Sequence, residues 1–134
     1  MKYDEFIKHV QSVAQVDSRE KAEQATRATL ETIKERIVGD EAKDLGAQLP
    51  EEIAKYLRGR EGENGQHFKL EEFIERVSKK EGVESTQAIM HVRAVFTVLQ
   101  SAVSPGEFAD FKHNFSDDYA ELFPTVSENQ VTAS

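Results

Sequence analysis

Apolar residues recur at helical spacing from the start of the chain. Phe6, Ile7, Val10 and Val13 share one face of a segment near Tyr3–Ala14. The same pattern returns near Leu70–Glu81, where Gly82 follows as a helix stop. Each segment leads into a longer one. Over Ser18–Ile37, the residues Ala22, Thr26, Leu30, Ile33 and Ile37 line one face. Asp17-Ser18-Arg19-Glu20 fits a capping box at its start, with Asp17 as the acceptor and Glu20 three residues on. Over Thr86–Val103 the apolar arc is wider, with Ile89, Met90, Val92, Val95, Phe96, Val98 and Leu99. A helix apolar on most sides is surrounded by others. Thr86–Val103 is therefore expected at the centre and Ser18–Ile37 nearer the periphery. Shorter helices are predicted at Asp40–Ala47 and Pro50–Leu57, and again at Pro105–His113 and Asp117–Phe123.

These elements come in two matching sets. Asp4–Ser18 aligns with Glu71–Ser85 at an offset of 67, pairing Glu5/Glu72, Phe6/Phe73, Ile7/Ile74, Val10/Val77 and Val16/Val83. One residue is then lost. At an offset of 66, Ala22/Ala88, Arg27/Arg93, Ala28/Ala94, Glu41/Glu107, Asp44/Asp110 and Ala54/Ala120 coincide. Apolar positions persist as well, from Leu30/Phe96 and Ile33/Leu99 to Leu57/Phe123. A match this long in register reads as an internal duplication. The expected fold is all-α: a duplicated helical repeat packed as one bundle, with approximate internal two-fold symmetry. The repeats cover about 3–57 and 70–123. The Gly-rich, charged stretch 58–67 reads as a linker, and 124–134 as a flexible tail.

The runs GDEAKDLGAQLPEE at Gly39–Glu52 and HVRAV at His91–Val95 resemble a bacterial group, domain of unknown function family 2267. The resemblance covers about Asp4–Phe123. It departs in the second copy, where Ser116 stands in place of Pro50 and Phe108 in place of Ala42. It implies small two-repeat helical proteins, and it implies no activity, substrate or cofactor.

Composition narrows the chemistry. The chain of 134 residues carries a formal net charge of −8. Such a field repels a polyphosphate backbone, and Arg58/Arg60 and Lys79/Lys80 sit beside acids, so no nucleic-acid partner is expected. The absence of cysteine excludes disulfides and thiolate chemistry. With no apolar signal core and no stretch of spanning length, a cytoplasmic protein without a membrane role is expected.

Most acids have a helix-start explanation. Ser104-Pro105-Gly106-Glu107 fits a capping box with Pro in the first turn, so Glu107 should bond back to the cap amide. Ser116 reads as a further cap. Asp44 and Asp110 lie too far along their helices for that role. Each is matched by a repeated arginine, so the pairs Arg27–Asp44 and Arg93–Asp110 are expected to fasten each long helix to the next short one. The alternative role for these arginines is an anionic ligand. The histidines His9, His67, His91 and His113 form no metal motif, and no nucleophile or phosphate-loop signature is present, so neither metal nor cofactor is expected. Two function classes remain in front of an enzyme built from scattered acids and histidines. One is a non-catalytic module for a protein partner or a homodimer, which should expose an apolar groove. The other binds a small ligand in the seam between the copies, through Arg27, Arg93 and His91.

Overall fold

The computed structural model of the chain describes residues 1–124. The tail expected after Phe123 lies, from residue 125 onward, outside the described residues. Seven α-helices run in the order α1 (Tyr3–Ala14), α2 (Arg19–Arg36), α3 (Gly39–Gly46), α4 (Glu51–Ala54), α5 (Leu70–Glu81), α6 (Ser85–Ala102) and α7 (Pro105–Lys112). A 3-10 turn at Lys55–Leu57 continues α4, and another at Asp117–Leu122 follows α7. No strand occurs among the described residues. The all-α bundle expected from periodicity is thus the fold. Corresponding helices have equal lengths: 12 residues for α1 and α5, 18 for α2 and α6, and 8 for α3 and α7.

One apolar core draws on both halves of the chain, from Phe6 to Phe123. The first half fills it with Leu30, Leu45, Leu49, Ile53 and Leu57. The second half fills the matching positions with aromatic rings. Phe96 meets Phe111 edge-on at 5.2 Å between ring centres, and Phe115 meets Phe111 at 5.1 Å. Edge-to-face rings add roughly 0.5–1.5 kcal/mol per pair beyond the area they bury.

Two expectations need correction. First, α2 is as central as α6, and packs against α1, α3, α5 and α6. Its buried surface consists largely of Ala22, Ala25, Ala28, Thr26, Thr29 and Thr32, small residues that a hydrophobic pattern undercounts. Two of these threonines satisfy their hydroxyls within the helix: Thr26 Oγ1 donates to the Ala22 carbonyl and Thr32 Oγ1 to the Ala28 carbonyl, each at 2.8 Å. Second, Val13 is exposed, because the buried stripe of α1 runs through Phe6, Ile7, Val10 and Ala14.

The segment 58–67 lies against the end of α2 and the start of α3. The Gly39 amide donates to the Glu63 carbonyl and the Gln66 amide to the Glu35 carbonyl, both at 2.9 Å. Asp40 accepts from the Gly62 amide at 3.0 Å. Contact is so close that a Cβ at Gly39 would lie 1.6 Å from the Arg60 carbonyl oxygen. At Gly65, φ is +76° and a Cβ would lie 2.4 Å from the Ile37 oxygen.

Candidate functional site

The fastening expected from the repeated Arg and Asp residues is absent. Arg27 bonds Glu31 one turn along α2 at 3.2 Å, with 62 % of its side chain exposed. It falls on the outer stripe of α2 with Glu20 and Gln24. Arg93 and Asp44 are exposed, and neither makes an ion pair among the described residues. Asp110 is exposed too, and its backbone carbonyl accepts from Asn114 at 2.9 Å. α3 and α7 pack against each other, which sets acids beside acids. Burial, then the charges of Asp44, Asp110 and Glu41, push the Glu107 carboxyl above its ordinary range. Its Oε2 is buried without a hydrogen-bond partner.

Helix starts also differ from expectation. Ser18, not Asp17, caps α2, accepting from the Lys21 amide at 3.1 Å. Asp17 instead pairs with Lys21 at 3.0 Å, and Glu20 lies one position too early for a capping box with Ser18. Ser104 caps α7 as expected, accepting from the Glu107 amide at 3.2 Å. The return bond does not come from Glu107: the Ser104 amide donates to Gln48 Oε1 at 2.8 Å, a tie from the first half. Ser116 occupies the cap position, but its hydroxyl donates to the Asp118 carboxylate. Asp118 accepts in turn from the Leu70 amide at 2.8 Å.

A buried cation that joins the halves is Arg36, which sequence reasoning missed. It is 3 % exposed. Its Nε donates to the Phe68 carbonyl at 2.8 Å and to the Tyr119 hydroxyl at 3.2 Å, and Nη1 donates to the Asn114 carbonyl at 3.1 Å. The guanidinium carbon lies 5.1 Å from the Tyr119 ring centre and 5.5 Å from that of Phe115. Tyr119 donates to Phe68 at 2.7 Å, and burial pushes its phenol up to about 12 against the opposing effect of Arg36. A second tie joins α2 to α5. Glu35 accepts from Arg76 at 3.1 Å and from Lys80 at 3.0 Å. Burial raises the Glu35 carboxyl, but these two cations together hold it below its ordinary value.

A cavity of about 510 Å³ opens where the α1–α2 corner meets the α5–α6 corner. Ala14, Val16, Val83 and Met90 give it apolar walls; Gln24, Gln87, Glu81 and His91 give it polar groups. Both corners reverse through left-handed residues, Gln15 at φ 55° and Gly82 at φ 72°. That turn sets the last residue of α5, Glu81, against the second turn of α6. There Glu81 Oε1 lies 2.7 Å from His91 Nδ1, with 3 % and 11 % of the two side chains exposed. Glu81 Oε2 is buried with no partner. A carboxylate on Nδ1 fixes the imidazole and leaves Nε2 for another group.

Glu81 also lines a neighbouring cavity of about 330 Å³ with Arg27, Glu31 and Lys80. Of the residues singled out for a seam ligand, His91 therefore lines the larger cavity and Arg27 the smaller, while Arg93 lines neither. Glu81 was missed because it follows a run of helix-terminal charges, Lys79 and Lys80, and reads as one more solvated residue. The only available signal was its place immediately before the Gly82 stop.

Among the described residues, no three His, Asp or Glu side chains are placed to share a metal ion. No helix there is long and apolar enough to cross a membrane. A comparison with curated proteins finds no match. The model of one family, described as "Uncharacterized conserved protein (DUF2267)", matches residues 3–122, and the chain belongs to that family.

Proposed function

We propose that this protein binds a small organic molecule in the cavity between the α1–α2 and α5–α6 corners. The observation that carries this reading is the Glu81–His91 pair, largely withdrawn from solvent yet set in the wall of a cavity of about 510 Å³. That volume falls within the range of about 300–1,000 Å³ usual for ligand sites, and apolar walls with few polar groups are their usual makeup. On this reading the duplicated scaffold matters because it brings two similar corners together and leaves space between them.

A docking module for a protein partner, or a homodimer, has less support. Among the described residues, four large apolar side chains are left exposed, Met1, Val13, Val38 and Met90. A docking face is expected to present a larger apolar patch.

Native mass spectrometry of the protein purified from its host tests the reading. The expected result is a mass excess from a retained small molecule, lost when Met90→Trp fills the cavity without altering the melting temperature. A bare chain mass for the wild type, or a ligand retained undiminished by Met90→Trp, counts against it. A co-purified protein at stoichiometric mass would favour the docking module instead.

A further inference from the structure

Glu81 is the most unusual group in the cavity. A carboxylate almost wholly withdrawn from water normally has all its lone pairs occupied. Here Oε1 is bonded to His91 and Oε2, among the described residues, to nothing. Neighbouring cations are committed elsewhere. Lys21 is held by Asp17 at 3.0 Å, and Arg27 by Glu31 at 3.2 Å. Lys80 is held by Thr32 at 2.8 Å and Glu35 at 3.0 Å. The walls of the larger cavity carry two carboxylates, Asp17 and Glu81, against one ammonium, Lys21, and the net charge of −8 draws cations toward the whole surface.

From this geometry we infer that the ligand is an organic cation with N–H donors, a primary amine or guanidinium on an apolar body, and that Glu81 is its counter-ion. The inference rests on the cavity being a ligand site, and it names the class of ligand. The charged end lies beside the Glu81 carboxylate, whose Oε2 lacks a donor. The body lies along Val16, Val83 and Met90, which are the apolar part of the wall. An anionic ligand would face Glu81 and Asp17. A neutral one would leave the buried charge as it is.

The test uses three probes of equal apolar length, n-butylammonium, n-butanol and n-pentanoate, titrated into the full chain. The Met90 methyl and His91 imidazole NMR signals report binding. Butylammonium is expected to bind at least about tenfold more tightly than either of the others. Glu81→Gln is expected to erase that margin while the fold persists. If Glu81→Gln does not fold, Glu81→Ala makes the same comparison, since it installs the residue found at the matching position, Ala14. Equal affinity for the three probes overturns the charge assignment and leaves the cavity as a site. A preference for butylammonium that survives removal of the carboxylate overturns the role of Glu81. No movement of either signal with any probe overturns the site itself.

Discussion

Arg36→Ala is the substitution that most directly tests how the two halves are joined. The wild-type guanidinium makes two charge-assisted bonds to carbonyls, of Phe68 and Asn114, and sits over the rings of Tyr119 and Phe115. Charge-assisted bonds contribute roughly 1.5–3 kcal/mol each, and the ring contacts about 0.5–1 kcal/mol each. The gross loss on truncation is therefore about 4–8 kcal/mol. Against it stands the desolvation of a cation with no carboxylate partner, several kcal/mol that the alanine variant recovers. Phe68 also keeps one partner, the Tyr119 hydroxyl at 2.7 Å. The net expectation is a loss of about 3 kcal/mol.

For 134 residues, 1 kcal/mol corresponds to about 4 °C, so melting should fall by about 12 °C. Urea unfolding followed by circular dichroism gives the free energy, and differential scanning calorimetry the temperature. Arg36→Met separates the polar contacts from the packing. It keeps most of the volume and removes the buried charge, so its loss should be smaller, about 1–2 kcal/mol. An alanine variant within about 1 kcal/mol of wild type would refute the reasoning. So would a methionine variant more stable than wild type, because the bonds would then contribute less than the burial costs.

Three further outcomes are expected. Arg27→Ala and Arg93→Ala should each leave stability within about 0.5 kcal/mol, measured by the same urea titration, because both residues are exposed and neither meets its expected aspartate. Glu107→Gln should raise the melting temperature near neutral pH. A carboxyl whose folded value is raised contributes stability below its unfolded value and loses it as pH climbs through the folded value, so the gain should vanish in acid, as melting scans across pH will show. Gly39→Ala should cost about 2 kcal/mol or more, since its Cβ would lie 1.6 Å from the Arg60 carbonyl oxygen, and hydrogen exchange should speed at the Gly39 and Gln66 amides.

The helices were legible in the sequence because burial at helical spacing and helix ends leave local marks. Gly82 stops α5, Ser104-Pro105 starts α7, and both are read from a few adjacent residues. The centrality of α2 was not legible. Its buried face is built from alanine and from threonines that bond their own helix, so it carries a weak apolar signal despite being packed on many sides. The docking of 58–67 was hidden for a different reason. Two of its bonds join backbone to backbone, and Gly39 and Gly65, which permit the approach, also look like ordinary turn residues.

The site was obscured by the feature that revealed the fold. Comparing the two halves draws attention to residues they share, and the shared charged residues Arg27, Arg93, Asp44 and Asp110 turned out to lie on the surface. Three buried polar groups lie where the halves differ. At the offsets of the sequence match, Arg36 stands against Ala102, Glu81 against Ala14 and His91 against Ala25. In each case one half holds a charged or titratable side chain and the other a methyl group. Packing explains the second case. Ala14 and Glu81 line one cavity from the two corners, where two large acids would crowd the same space and bring like charges together. One large group against one alanine fills that space once. A helical chain whose halves match in sequence can therefore keep its core pattern twice and a buried polar group once, and the mismatches in the alignment of its halves are the positions to mutate in testing the proposed site.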